Sequence, residues 1–185
     1  MNSVAVEEGD FAGEPALVIR AQRGDVRAFE QLYRLYLDRI YGLCMRLVRN
    51  PAAAEDCTQQ AFINAWTALP GFKARSSFGT WIHRIAANVA IGDRRRVARS
   101  PVGIAQELEA IGGPVVFDTP VEVSDIEAAI QALPEGARDV LILCGIYGFS
   151  HAEVATMLRI AEGTCRAQLH RAREILRGRL HLDGT

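Results

Sequence analysis

The sequence has little that would place it in a membrane. None of its apolar runs is long enough to span a bilayer. Its first ten residues, MNSVAVEEGD, are acidic, whereas a signal peptide begins with basic residues. We therefore expect a cytoplasmic protein.

The sequence also lacks the signatures of metal sites and of catalysis. Its four cysteines form no Cys-x-x-Cys pair and no cluster with histidine, so we expect no zinc site. Each cysteine lies within a helical apolar pattern, in a compartment where disulfides are rare, which predicts buried and reduced thiols. The four histidines form no motif with a carboxylate or a nucleophile, and no glycine-rich loop could hold phosphate. The sequence therefore predicts no enzyme and no cofactor.

An excess of charge is missing too, since the formal net charge is −1. The charges are nevertheless unevenly distributed. Arginines concentrate in residues 94–99 and 159–179, whereas acidic residues concentrate at the N-terminus and in residues 107–127. Because a polyanion responds to local basic patches more than to total charge, the two arginine-rich stretches are candidate nucleic-acid contacts.

The clearest motif is SHAEVATMLRIAEGTCRAQLHRAREIL, in residues 150–176. Ser150 and Glu153 form a capping box that starts a short helix, and residues 159–161 are a tight turn. The expected buried positions are Val154, Ala155 and Leu158 in the first helix and Cys165, Leu169, Ala172 and Leu176 in the second. A short helix, a tight turn and an arginine-bearing helix predict a helix-turn-helix, whose second helix enters the DNA major groove. The alternative is an ordinary helical hairpin with a solvated arginine face.

The segment GTCRAQLHRAREIL resembles the −35-reading segment of bacterial RNA polymerase sigma factors, in particular those of the extracytoplasmic-function (ECF) class, which often read GTVKSRLHRARE. The −35 DNA contacts that this resemblance implies are Thr164, Arg166, Ala167, Gln168, His170, Arg171 and Arg173. Arg171 is the best candidate for a bidentate contact with guanine, and Thr164 and Arg173 are candidates for phosphate contacts. Ala167 replaces a frequent serine and Gln168 a frequent arginine, which predicts the loss of one base contact and one phosphate contact.

The N-terminal half begins with a predicted short helix in residues 16–22, followed by Asp25 as the N-cap of a long helix. The apolar side of the long helix consists of Phe29, Leu32, Tyr33, Tyr36, Ile40, Leu43, Leu47 and Val48. The segment GDVRAFEQLYRLYLDRIYGL resembles the first conserved segment of domain 2 in ECF sigma factors. Asn50 and Pro51 end this helix and start the next one.

The next predicted helix, residues 52–69, contains AEDCTQQAFINAW, with Cys57, Ala61, Ala65 and Trp66 facing the core. Without further information it could be a plain surface helix with acidic residues near its N-terminus. The motif AED-x-x-Q-x-x-F resembles the ECF helix that binds the clamp of the polymerase β′ subunit. The core-polymerase-binding residues that the resemblance implies are Glu55, Asp56, Gln59, Gln60 and Phe62.

Pro70 and Gly71 then break the chain, and the loop FKARSSFGT leads into a helix that Ser77 or Thr80 could cap. Aromatic residues interleaved with cations suit single-stranded DNA, although the aromatics could equally be core and the arginines solvated. The segment resembles the −10 region of ECF sigma factors, where a loop captures a flipped base. The implied −10 DNA-binding residues are Phe72, Lys73, Ser76, Ser77, Phe78, Trp81, Arg84, Asn88, Arg94 and Arg95. Ala87 and Gly92 depart from the family pattern, which leaves the local DNA contacts open.

Residues 97–124 are predicted to be a linker, which in ECF sigma factors runs toward the polymerase active-site cleft. An amphipathic helix through Ile126, Ala129, Ile130 and Leu133 follows. Pro134 starts another helix, which Gly148 ends, and its expected buried residues are Val140, Leu141, Cys144 and Tyr147.

The sequence therefore predicts an all-α protein of two small helical domains joined by a flexible linker. The predicted parts are a disordered arm in residues 1–14, sigma domain 2 in 15–96, the linker in 97–124 and sigma domain 4 in 125–185. The resemblance implies three partners: core RNA polymerase through the β′ clamp and the β flap, promoter DNA at its −35 and −10 elements, and an anti-sigma factor. The alternative function is a dimeric helix-turn-helix regulator that acts without polymerase, binding palindromic duplex DNA.

Overall fold

The computed structural model describes residues 13–99 and 121–179. Regular secondary structure in this part of the chain is helical throughout, as the sequence predicts. The chain divides into two compact units, with the boundary after Val97. None of the described helices is long and apolar enough to cross a bilayer.

The first two described helices of the first unit, α1 and α2, lie close to their predicted positions. Helix α1 spans Glu14–Gln22, two residues longer at its start than expected. Helix α2 spans Val26–Val48, and the Asp25 carboxylate accepts hydrogen bonds from the backbone N–H groups of Arg27 and Ala28. This N-cap satisfies two of the otherwise unbonded donors at the helix start. Arg20 on α1 also forms an ion pair with Asp25 at 2.6 Å.

Helices α3 and α4 complete the first unit. Helix α3 spans Pro51–Ala68, with Asn50 as its N-cap, and a single 3₁₀ turn at Leu69–Gly71 follows. Helix α4 spans Phe78–Ala98. Of the two candidate caps for α4, Ser77 is the one used, because its Oγ accepts the backbone N–H of Thr80 at 3.1 Å.

The core of the first unit lies between the facing sides of these helices. The fully buried large side chains in this core are Leu32, Ile40, Leu43, Leu47, Leu69 and Ile82. Helix α4 approaches α2 closely at Gly79, where a Cβ atom would lie 2.9 Å from the Tyr36 hydroxyl oxygen. The Tyr36 hydroxyl donates a hydrogen bond to Glu14, so the same side chain joins α1, α2 and α4. Phe29, Tyr33, Val48 and Trp66, predicted to be core, are only half-buried.

The part of the second unit that the structure describes contains four α-helices. Helix α5 spans Val121–Gln131 and α6 spans Glu135–Val140, which continues into a π-helical segment at Leu141–Ile146. Helix α7 spans His151–Leu158 and α8 spans Glu162–Arg179. Ala172 on α8 is buried against Leu133 and Ala137, which ties the last helix to α6. Ile126, which the amphipathic pattern placed in the core, is exposed.

The π-helical segment overturns part of the predicted core. The sequence placed Leu141, Cys144 and Tyr147 on the buried side, but all three are only half-buried. Ile142 and Leu143 are fully buried instead. A π-helix has i→i+5 hydrogen bonds, such as that from Tyr147 N–H to the Ile142 carbonyl at 3.1 Å, and therefore more residues per turn than the α-helical periodicity assumes. Gly148 ends the segment as predicted, with a left-handed φ of 71°.

All four cysteines are free thiols; Cys44, Cys57 and Cys165 are buried and Cys144 is half-buried. Burial raises the pKa of Cys44 to about 11 and the pKa of both Cys57 and Cys144 to about 12. Because the thiolate is the nucleophile, we expect iodoacetamide at neutral pH to label the native chain far more slowly than the urea-unfolded chain. Mass spectrometry of the labelled peptides measures this. Rapid labelling of Cys44 in the native chain would contradict it.

Candidate functional site

The second helix of the helix-turn-helix, α8, has one buried face and one open face. Cys165, Leu169 and Ala172 are buried in the second unit. Six of the seven predicted −35 contacts are exposed, namely Thr164, Arg166, Ala167, His170, Arg171 and Arg173. With about 3.6 residues per turn, Ala167 and Arg171 project away from the buried stripe. This arrangement lets the N-terminal half of α8 present side chains to a DNA groove.

Local interactions already hold some of the predicted −35 residues. Arg166 forms an ion pair with Glu162, one turn earlier, at 2.5 Å. Such exposed pairs contribute little stability, so DNA phosphate can replace Glu162 as the partner. Gln168 is half-buried, and its Nε2 lies 3.5 Å from where a Cβ atom on Gly136 would be. Gln168 therefore lies against the start of α6.

Short-range hydrogen bonds define both the start of α7 and the turn between α7 and α8. The capping box at the start of α7 is formed as the sequence predicts, with Ser150 N–H donating to Glu153 Oε2 at 2.9 Å and Glu153 N–H donating to Ser150 Oγ at 3.3 Å. Arg159 ends α7 in a left-handed conformation, with φ 55°. Ile160 N–H then donates to the Ala155 carbonyl at 3.0 Å, which closes the turn.

In the first unit, the predicted −10 residues occupy one loop and the helix that follows it. Phe72 and Trp81 are half-buried and lie against each other, with ring centroids 4.7 Å apart. Lys73 and Asn88 are exposed, whereas Ser76, Arg84 and Arg95 are half-buried. Half-buried aromatic rings beside exposed cations and polar groups can stack on unpaired bases and contact phosphates.

Three of the predicted −10 residues support the structure of this region. Phe78 is buried, with its ring against Tyr36 at 5.4 Å and Trp81 at 5.6 Å, so it cannot stack on a base without leaving the core. Ser77 caps α4, as described above. Arg94 donates a hydrogen bond to the Leu47 carbonyl at the end of α2, at 3.2 Å. Only Phe78 is removed from the candidate DNA contacts by its burial; Ser77 is exposed and Arg94 is half-buried, so these two and the other seven residues remain candidates.

The start of α4 also contains a half-buried histidine, His83, that the sequence did not single out. His83 Nδ1 lies 2.6 Å from the Gly79 carbonyl oxygen, so this nitrogen carries the proton and donates it. Burial lowers the pKa of His83 below its ordinary value. Partial burial therefore favours the neutral form of this side chain.

Four of the five predicted polymerase-binding residues share the exposed side of α3. Glu55, Asp56, Gln59 and Gln60 are all exposed. Phe62 is buried instead, with its ring 4.6 Å from that of Tyr33. The sequence motif therefore identifies four surface residues and one residue that packs α3 against α2.

An apolar groove lies next to these residues, and the sequence pattern does not predict it. Its volume is about 470 Å³, and it is lined by Val26, Phe29, Tyr33, Gln59, Phe62, Ile63 and Trp66. Val26 and Ile63 are strongly exposed, at 65% and 58%. The i, i+3, i+7 spacing of Val26, Phe29 and Tyr33 indicates an apolar face on α2. The spacing does not indicate that the other helices of the unit leave part of this face exposed.

Comparison with known protein families identifies both units. Residues 32–100 match Sigma-70 region 2, and residues 124–176 match Sigma-70 region 4. The chain is 38% identical to the RNA polymerase sigma-H factor of Pseudomonas aeruginosa over 174 residues, which cover 86% of this chain and 90% of that protein. It is 33% identical to the ECF RNA polymerase sigma factor SigW of Bacillus subtilis, with 87% of this chain and 93% of SigW covered. The chain belongs to the sigma-70 family, in its ECF class.

Solved structures agree with this fold. CnrH in complex with the cytosolic domain of CnrY is 26% identical to this sigma factor, with a TM-score of 0.59 and with 92% of this chain and 99% of that chain covered. The sigma factor RpoE of Bartonella quintana, solved with the anti-sigma factor NepR, has a TM-score of 0.64 at 24% identity, covering 84% of this chain and 98% of that one. The similarity to RpoE, at 24% identity, shows a shared fold.

The family assignment fixes the general role. The protein is an RNA polymerase sigma factor, a class of transcription initiation factors that are not themselves catalytic. The dimeric regulator that the sequence left open is not favoured, because both units match sigma regions in their usual order. Among the described residues, no group of three or more His, Cys, Asp and Glu side chains could hold a metal ion.

Proposed function

We propose that this sigma factor uses residues 15–96 to bind core polymerase and the −10 element, and residues 125–185 to bind the −35 element. The observation that supports the DNA-binding half most directly is the open face of α8, where Arg171 and five other predicted contacts are exposed. We propose that residues 97–124 act as the linker. The protein acts in the cytoplasm and does no covalent chemistry of its own.

Core polymerase binds to the side of α3 that carries Glu55, Asp56, Gln59 and Gln60, together with the apolar groove beside it. Gln59 belongs to both surfaces, so they are continuous. Burial of the apolar groove in the interface would contribute favourable binding free energy. The acidic and amide side chains at its rim would orient the bound partner through hydrogen bonds and ion pairs. A clamp surface with basic residues around an apolar side chain would fit this combination.

Asp56→Arg combined with Gln59→Ala should weaken binding to core polymerase while leaving the helical circular dichroism unchanged. Both side chains are exposed, so the fold loses little, but a cation replaces an anion on the proposed interface. The matched control is Asp38→Arg with Gln31→Ala, which changes the same residue types at exposed positions of α2. Titration of labelled core enzyme measures the affinity. Equal affinities for the two double variants would remove α3 from the interface.

At the promoter, α8 enters the major groove of the −35 element and the residue 72–77 loop with α4 holds the opened −10 strand. Energy for opening comes from binding unstacked bases better than paired ones. The test is reconstitution with core polymerase and a library of promoters. We expect specific initiation only when sigma factor and core are both present. Tight binding of the sigma factor alone to palindromic duplex DNA would favour the regulator instead.

We also propose that an anti-sigma factor controls this protein. The support is that CnrH, which is 26% identical over most of both chains, is solved with the cytosolic domain of CnrY. Such a partner would cover surfaces that core polymerase needs, including the apolar groove on α2 and α3. A competition assay between core polymerase and candidate partners for the sigma factor would detect it.

A further inference from the structure

We propose that Gln22, the last residue of α1, is a positioning residue for the loop that captures the −10 strand. Its Nε2 donates one hydrogen bond to the Phe72 carbonyl at 2.7 Å and another to the Leu69 carbonyl at 3.3 Å. Both acceptors are about 50 residues away along the chain. The side-chain amide therefore joins α1 directly to the start of the loop.

The two acceptors lie on either side of the turn at Pro70 and Gly71. Phe72 N–H donates back to the Leu69 carbonyl at 3.0 Å, which closes the turn on itself. Because the Gln22 amide has two hydrogens, it can bond both carbonyls at once and so fix the entry and the exit of the turn. The bonds are partly buried, which makes them stronger than the same bonds in water.

The direction in which the chain leaves this turn decides where the loop residues lie. Phe72 is held on its backbone side by Gln22 and on its ring side by Trp81, at 4.7 Å. The next residues are Lys73, then Ala74 in a left-handed conformation with φ 49°, and the loop ends at Ser77, the cap of α4. Gln22 and Ser77 therefore anchor the two ends of the segment that presents Lys73 and Ser76.

Gln22 can act as an anchor only if α1 is itself fixed. Near its start, Glu14 accepts a hydrogen bond from the Tyr36 hydroxyl on α2. Near its end, the Arg20 guanidinium contacts the Asp25 carboxylate through Nε at 2.9 Å and Nη2 at 2.6 Å. These contacts fix both ends of α1 relative to α2. Through its hydrogen bonds, Gln22 then fixes the start of the loop relative to both helices.

This inference rests on the proposed function of the loop. The test compares holoenzymes with Gln22→Glu and Gln22→Leu, which both remove the amide donors, and the matched control Gln31→Glu at an exposed position of α2. The probe is a fork promoter whose non-template −10 element is single-stranded. We expect both Gln22 variants to bind it about tenfold more weakly than the control, as for the loss of two hydrogen bonds. Binding to core enzyme and to a −35 duplex should not change.

The outcomes are separable. If the wild-type holoenzyme fails to bind the fork promoter specifically, the proposed function is wrong. If it binds but the Gln22 variants match the control, the positioning role is wrong and the function stands. A loss confined to Gln22→Glu would assign the effect to charge repulsion from phosphate and overturn the role. An equal loss of core binding or of helical signal would also overturn it, since Gln22 would then support the whole unit.

Discussion

Arg171→Ala should weaken binding of the holoenzyme to its preferred −35 element by about 1–3 kcal/mol, or roughly 5- to 150-fold, and relax preference at one or two base pairs. Arg171 is exposed on the open face of α8, one turn after Ala167. An arginine there can donate two hydrogen bonds to guanine, and alanine can donate none. The measurement is binding to a panel of single-base −35 variants at one fixed salt concentration.

The control for this prediction is Arg173→Ala, which removes the same charge from the same helix. Arg173 is exposed on the flank of α8, where it is a candidate for a phosphate contact. We expect Arg173→Ala to weaken binding to every −35 variant about equally. If Arg171→Ala also weakens binding to every −35 variant equally, Arg171 does not contact a base specifically and is instead a phosphate contact.

Lys73→Ala combined with Ser76→Ala should impair promoter opening about tenfold, because one cation and one hydrogen-bonding hydroxyl leave the loop that holds the separated strand. Ser77 is kept in this variant, since its hydroxyl caps α4 and its removal would disturb the helix as well as the loop. Permanganate footprinting of unpaired thymines measures opening.

Two controls make the result specific. Lys73→Arg retains the positive charge and should open the promoter nearly as well as the wild type. A promoter with a pre-melted −10 bubble should recover part of the loss, because strand separation is then already complete. Normal opening by the double alanine variant would mean that this loop makes no essential contact with the strand.

The parts of this fold that follow local rules were predicted well from the sequence. Asp25, Asn50 and the Ser150–Glu153 box each start a helix where expected, because a short polar side chain bonds the free N–H groups beside it. The helix-turn-helix is confirmed for the same reason, since its cap and its apolar spacing lie within residues 150–176, although Leu158 and Leu176, predicted to be buried, are half-buried.

Features that depend on packing between distant residues were not predicted. The pattern at Leu141, Cys144 and Tyr147 assumes an α-helix, and the π-helical turn shifts burial to Ile142 and Leu143. Apolarity at Phe62 and Phe78 is compatible with either a surface contact or the core, and only the packed structure shows both to be buried. The hydrogen bonds of Gln22 cross about 50 residues and leave no periodic trace in the sequence.

The placement of the two tryptophans has a spectroscopic consequence. The chain has only Trp66 and Trp81, and both lie in the first unit. Trp66 borders the groove proposed for core polymerase, and Trp81 lies beside the loop proposed for the −10 strand. Tryptophan emission therefore reports on the first unit alone, whereas circular dichroism reports on all the helices. With Trp66→Phe and Trp81→Phe variants of the free chain, native emission could therefore follow unfolding beside the groove and unfolding beside the loop as separate signals.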